Sequence, residues 1–205
     1  MIRNIVIDFG GVLVQLDKSA SISAYRDLGM EGVAALINDY RSDGIFNELE
    51  RGEIDIHEFC NRARQMTGID APDEAIEDAW QRLLVGVPQK KLEMLAALRR
   101  KYRVYLLSNT NAFHWEYSVK EYFKDTSLYF DRLYLSYELG MSKPDRRIFE
   151  HLIADTGISV GETLLLDDSA DNCRMARELG FHVWHIAENE DWTQRFNDEK
   201  CMNDV

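Results

Sequence analysis

Five short apolar runs punctuate the chain, at 2–8 (IRNIVID), 103–108 (RVYLLS), 132–136 (RLYLS), 163–167 (TLLLD) and 182–186 (HVWHI). Each is bounded by polar residues or glycine and predicts a buried strand. Helix-length segments separate the later runs. Leu92, Leu95 and Leu98 recur at helical spacing within 91–101, and Ile148, Phe149, Leu152 and Ile153 share one face of 145–156. Strand alternating with helix predicts an α/β fold with a doubly wound parallel sheet.

One interval breaks the alternation. The first strand ends near residue 8 and the next begins near 103, whereas an ordinary strand–helix–strand unit takes roughly 30 residues or slightly more. Inside the gap, Val33/Leu36/Ile37/Tyr40, Ile56/Phe59/Cys60/Ala63 and Ile76/Ala79/Trp80/Leu83 fall at helical spacing, with a weaker set at Ile22/Tyr25/Leu28. The interval therefore predicts an inserted helical bundle over 16–88, with 1–15 and 89–205 forming the core. A bundle inserted directly after the first strand overhangs the carboxyl ends of the sheet, where open α/β sheets bind ligands, so it reads as a lid on linkers near 14–18 and 85–90. A polar tail from about Asn197 is expected to fray.

Composition narrows the partners. The 205 residues are 45% hydrophobic and 29% charged, enough for a folded core, and the net charge of −12 repels phosphate backbones and anionic lipid. Nucleic acid and membrane surfaces are thus poor partners and a small molecule is the expected one; oligomeric state leaves no trace in the sequence. Cys60, Cys173 and Cys201 lie far apart, which argues against a disulfide framework or a zinc site and suits a reducing cytoplasm.

Four stations carry candidate chemistry. The first strand runs into D-F-G-G-V-L (8–13), where Asp8 points into the crevice and the glycines Gly10 and Gly11 let backbone amides approach an anion closely; an Asp after a strand also reads as a helix cap. L-L-S-N-T (106–110) brings the hydroxyl of Ser108 and the amide of Asn109 to the same edge, suited to phosphate oxygens or to capping. Lys143 precedes Pro144 at a helix entrance. L-L-L-D-D-S-A-D-N (164–172) closes an apolar strand with Asp167 and Asp168. Adjacent carboxylates raise one another's pKa, a conflict that a divalent cation resolves, and Mg²⁺ takes one or two protein carboxylates with water and phosphate oxygens.

Together these four motifs resemble those of the haloacid dehalogenase-like hydrolase superfamily, from the first strand to about Gly180. The insert is similar to the cap that follows the first motif in part of that superfamily. SNTNAFH (108–114), YLSYELGMSKP (134–144) and NELERGEI (47–54) look most like the small sugar-phosphate phosphatases typified by α-glucose-1-phosphate phosphatase. The resemblance implies a Mg²⁺-dependent phosphatase acting on a small phosphorylated metabolite. Asp8 would be the nucleophile, ionised at neutral pH; Asp8, the Gly10 carbonyl and Asp168 would hold Mg²⁺, with Asp167 and Asn172 behind them. Ser108, Asn109, Lys143 and Gly11 would bind the phosphate.

One departure stands out. Most phosphatases of the superfamily carry a general acid/base Asp two positions after the nucleophile, where this chain has Gly10. An anomeric leaving group, more acidic than an ordinary alcohol, lessens the need for that acid; otherwise His114, Asp17, Glu48 or Glu50 would stand in. The alternatives are a metal-independent 2-haloacid dehalogenase and a catalytically weak scaffold that binds phosphorylated ligands.

Overall fold

The structure, a computed structural model, describes residues 1–38 and 44–197. After β1 (Asn4–Ile7) comes a short strand, β2 (Gln15–Leu16), then five helices: α1 (Lys18–Asp27), α2 (Glu31–Asn38), α3 (Ile45–Glu50), α4 (Ile56–Thr67) and α5 (Asp73–Gln81). A second short strand, β3 (Leu84–Gly86), returns antiparallel to β2. The chain continues as α6 (Gln89–Leu98), β4 (Arg103–Ser108), α7 (Ala112–Ser118), β5 (Arg132–Leu135), α8 (Ser136–Leu139), α9 (Arg146–Thr156), β6 (Thr163–Asp167), α10 (Ala170–Glu178), β7 (His182–His185) and α11 (Thr193–Asn197).

Five strands form one parallel sheet in the order β5-β4-β1-β6-β7. Side chains alternate between its faces. Ile5, Ile7, Val104, Leu106, Leu164 and Leu166 pack with Leu92, Leu95 and Leu98 of α6 in one layer. Val6, Tyr105, Leu107 and Leu165 pack with Ile148, Phe149 and Leu152 of α9 and Ala176 of α10 in the other. Burial on both faces explains why these strands read as continuous apolar runs. The chain leaves β1 toward β4 on one side while β6 lies on the other, so the loops after β1 and β6 diverge and open a crevice.

The helices between β2 and β3 close around their own apolar centre, which includes Tyr25, Val33, Phe59, Ile76 and Trp80. Burying each large side chain stabilises by about 1.5–3 kcal/mol, so this bundle has a core separate from that of the sheet. The chain enters and leaves the bundle through the β2–β3 ribbon, where Gln15 pairs with Gly86 and Leu16 with Leu84.

The strands stand where the apolar runs predict them, though the first spans only Asn4–Ile7, and the helix after Lys143 begins at Arg146 with Asp145 as its cap. Leu83, the end of one helical window, lies beyond α5 and packs against both cores. Strands as short as β2 and β3 are too brief to show a period, and α3 and α8 likewise escape the sequence pattern. Tyr40 and the tail beyond Asn197 lie outside the described residues. No helix among the described residues is long and apolar enough to cross a membrane.

Candidate active site

Register brings the acidic residues together. Ile7 pairs with Leu166, and the Asp8 amide donates to the Leu166 carbonyl at 2.9 Å, so Asp8 leaves β1 level with Asp167 at the end of β6. Lys143 arrives from the loop before α9. Its Nζ donates to Asp8 Oδ1 at 2.8 Å and to Asp167 Oδ2 at 2.6 Å, with all three side chains buried. Asn109 fixes the lysine from behind: its Nδ2 donates to the Lys143 carbonyl and its Oδ1 accepts from the Lys143 amide, both at 2.8 Å.

Asp167 is saturated by the protein. Oδ1 accepts from the Ser169 amide at 2.9 Å and from Asn172 Nδ2 at 3.0 Å, while Oδ2 accepts from Asn172 Nδ2 at 3.2 Å in addition to Lys143. Asp167 therefore anchors Lys143 with both of its oxygens already engaged, whereas Asp168 stands beside it. One oxygen from each of Asp8, Asp167 and Asp168 falls within 4.8 Å of the others. Burial pushes the Asp8 carboxyl up to about 8, against the pull of Lys143 and with the help of the charges on Asp167 and Asp168. Burial and then Asp167 raise Asp168 to about 6. Burial alone would lower Lys143, but Asp167 and Asp8 outweigh it and hold the ammonium above its ordinary range. A further positive charge beside Asp8 would favour the ionised form expected from the sequence. The donor set is all oxygen and anionic, the chemistry that suits Mg²⁺.

The loop after β1 turns back on itself. Leu13 and Val14 both donate to the Phe9 carbonyl at 2.8 Å, and the Gly11 amide donates to the Val14 carbonyl at 2.9 Å. The amide of Gly11, a residue expected to bind phosphate, is thus engaged within the loop. Glycine is required there for two reasons: φ is +73°, and a Cβ would stand 2.3 Å from Asp168 Oδ2. Gly10 has an ordinary φ, and a Cβ there would meet Leu16 Cδ1 at 3.4 Å. Ser108 is completely buried, and its hydroxyl donates to the Asn109 carbonyl at 3.3 Å.

The proposed stand-ins for the missing acid separate. His114 is not poised for proton transfer: it is buried, stacked on Trp80 with ring centroids 4.6 Å apart, and its Nε2 donates to the Trp80 carbonyl at 3.3 Å. Burial drives it down to about 3, so the imidazole stays neutral. Asp17 caps α1, accepting from the Ala20 amide at 3.0 Å and the Ser19 hydroxyl at 2.5 Å, and the Ser19 bond holds its carboxyl below the ordinary range. Glu48 is ion-paired with Arg62. Glu50 is buried where the bundle meets the core. Its carbonyl accepts from the Ser136 hydroxyl at 2.6 Å, and the Ser136 Oγ in turn accepts from the Thr110 amide at 2.9 Å.

The sequence motifs do not reveal Ser136 or a second support of the Asp8 loop. Lys91, buried on α6, donates through Nζ to the Val12 carbonyl at 2.5 Å, and Trp192 Nε1 donates to the same oxygen at 2.8 Å. A lysine within an apolar helical face is the one signal that could have pointed there.

The chain and its fold are similar to those of known hydrolases. The D-ribitol-5-phosphate phosphatase of Bacteroides thetaiotaomicron is 37% identical over 198 residues, covering 95% of this chain and 96% of the relative. The crystal structure of a HAD-family enzyme from the same organism, in complex with magnesium and inorganic phosphate, superposes with a TM-score of 0.88 at 40% identity, over 96% of this chain and 100% of that one. A structure described as a HAD-like family hydrolase of Porphyromonas gingivalis gives a TM-score of 0.87 at 32% identity, over 96% and 97% of the two chains. The profile of haloacid dehalogenase-like hydrolases matches residues 2–180. The chain belongs to the haloacid dehalogenase-like hydrolase family.

Proposed function

We propose that this hydrolase is a Mg²⁺-dependent phosphatase of small sugar or polyol phosphates, working through a phosphorylated Asp8. The observation that carries this reading is Lys143 bridging the buried carboxylates Asp8 and Asp167, with Asp168 beside them. The similarity to a ribitol-5-phosphate phosphatase and to an enzyme bound to magnesium and phosphate supports it.

In this reading a carboxylate oxygen of Asp8 attacks phosphorus in line, the alkoxide leaves, and water then cleaves the acyl phosphate and frees Asp8. Lys143 stabilises charge on the transferring phosphoryl group, held in place by Asp167 and Asn109 rather than by the substrate. Ser108 and the backbone of Asn109 line the same edge. Asp8, the Gly10 carbonyl and Asp168 would hold Mg²⁺, which when bound neutralises phosphoryl charge as a Lewis acid. The inserted bundle serves as the cap that excludes bulk water. Glu50, whose backbone meets the core through Ser136, would be one stand-in for the missing acid.

The acidic cluster favours this reading over metal-independent dehalogenation. The test is phosphate release from a panel containing ribitol 5-phosphate, glucose 1-phosphate and nucleotides, with and without Mg²⁺. Mg²⁺-dependent turnover of polyol or sugar phosphates supports the proposal. Ligand-induced stabilisation with no release in any arm would instead make the chain a phospho-ligand-binding scaffold.

A further inference from the structure

The segment after β7 carries none of the four motifs, yet it contacts the Asp8 loop and both ends of the inserted bundle. Asn189 is its centre. Its backbone lies in the left-handed region at φ +64°, and its amide donates to the Gly11 carbonyl at 2.7 Å. Its carboxamide pairs with both backbone groups of Leu16, accepting from the Leu16 amide at 2.9 Å and donating to the Leu16 carbonyl at 3.0 Å. One side chain thus does for β2 what a neighbouring strand would do. On either side of Asn189, Glu188 pairs with Lys18 at the start of α1 and Asp191 pairs with Lys90 at the start of α6. Trp192 adds the bond to the Val12 carbonyl already described. Residues 188–192 therefore grip both points where the chain passes between sheet and bundle, as well as the loop that follows Asp8.

We infer that Asn189 is a positioning residue that locks the ribbon carrying the bundle to the Asp8 loop, so that bundle position and site geometry are set together. The two attachments differ in kind. The bond from the Asn189 amide holds the loop, and the carboxamide holds β2. Asn tolerates left-handed backbone because its short polar side chain bonds locally, and glycine adopts the same backbone freely. Asn189→Gly therefore keeps the amide bond to Gly11 and the turn while removing only the grip on β2. A loosened ribbon lowers the fraction of molecules with the bundle held over the site, and apparent affinity falls with that fraction.

The catalytic half of this inference rests on the phosphatase reading; the mechanical half does not. Amide hydrogen exchange and steady-state kinetics of Asn189→Gly against the wild type separate the two. Exchange should accelerate roughly tenfold in residues 15–17, where Leu16 loses a direct partner, and also in 84–86, which Asn189 does not bond. KM should rise several-fold while Tm stays within about 4 °C of the wild type. Acceleration confined to 15–17, or an unchanged KM in an active enzyme, overturns the coupling. A wild type that releases no phosphate refutes the phosphatase reading, and the exchange in 84–86 still decides whether Asn189 locks the ribbon.

Discussion

Asp167, fully buried, holds Lys143 Nζ at 2.6 Å, and its remaining acceptor positions are filled by Ser169 and Asn172. The pair fixes the division of labour in the site. Asp167 fastens the lysine, which is shared with Asp8 at 2.8 Å; in the proposed reading Asp8 and Asp168 carry the chemistry.

Removing the lysine charge leaves buried carboxylates uncompensated, a change that costs roughly 3–5 kcal/mol. Lys143→Met should therefore lower Tm by roughly 10 °C without Mg²⁺. Added Mg²⁺ should raise the Tm of the variant more than that of the wild type. Differential scanning fluorimetry reads both; equal melting points without the ion would mean that Lys143 does not balance the carboxylates.

The two glycines after Asp8 should behave differently. Gly11→Ala forces a side chain into left-handed backbone and against Asp168 Oδ2, where a Cβ would stand at 2.3 Å. Displacing a site carboxylate by about 1 Å can cost on the order of 10²-fold in turnover. Gly10→Ala has ordinary backbone and meets Leu16 Cδ1 at 3.4 Å, so its kcat should remain near that of the wild type. Similar losses in the two variants would remove Asp168 from its assigned place. Titration of activity with Mg²⁺ should show a weakened half-saturation for Gly11→Ala alone.

His114 gives the fold a pH dependence of known sign. Its pKa falls from an ordinary 6.5 to about 3 through burial, so below 6.5 the unfolded chain takes up a proton that the native state refuses. Its contribution to stability is thus complete above pH 6.5 and is lost as pH falls toward 3, with a slope approaching about 1.4 kcal/mol per pH unit. Urea unfolding at pH 5 and 7 should show a smaller difference in His114→Phe than in the wild type. An unchanged difference would place the imidazole outside the Trp80 stack.

The legible part of the site is the part that stands at strand ends. Asp8, Asp167 and Asp168 each terminate an apolar run, and burial on both sheet faces makes such runs and their polar ends visible in one dimension. Gly11 shows the limit. Its glycine is readable, but whether its amide is free depends on Val14 folding back to accept it. His114 looks available until Trp80, from a different core, covers it. Asn189 stands in a polar stretch with no periodicity, and its role arises only because the segment after β7 crosses Leu16, far away in sequence.

The proposed reaction requires Asp8 to become covalently phosphorylated during turnover. Acid quenching of the enzyme with Mg²⁺ and a hydrolysed substrate, followed by mass spectrometry of the peptide containing Asp8, tests it directly. The wild type should carry one added phosphoryl group on Asp8, and Asp8→Asn should show neither the adduct nor turnover. Phosphate release that persists in Asp8→Asn would contradict it.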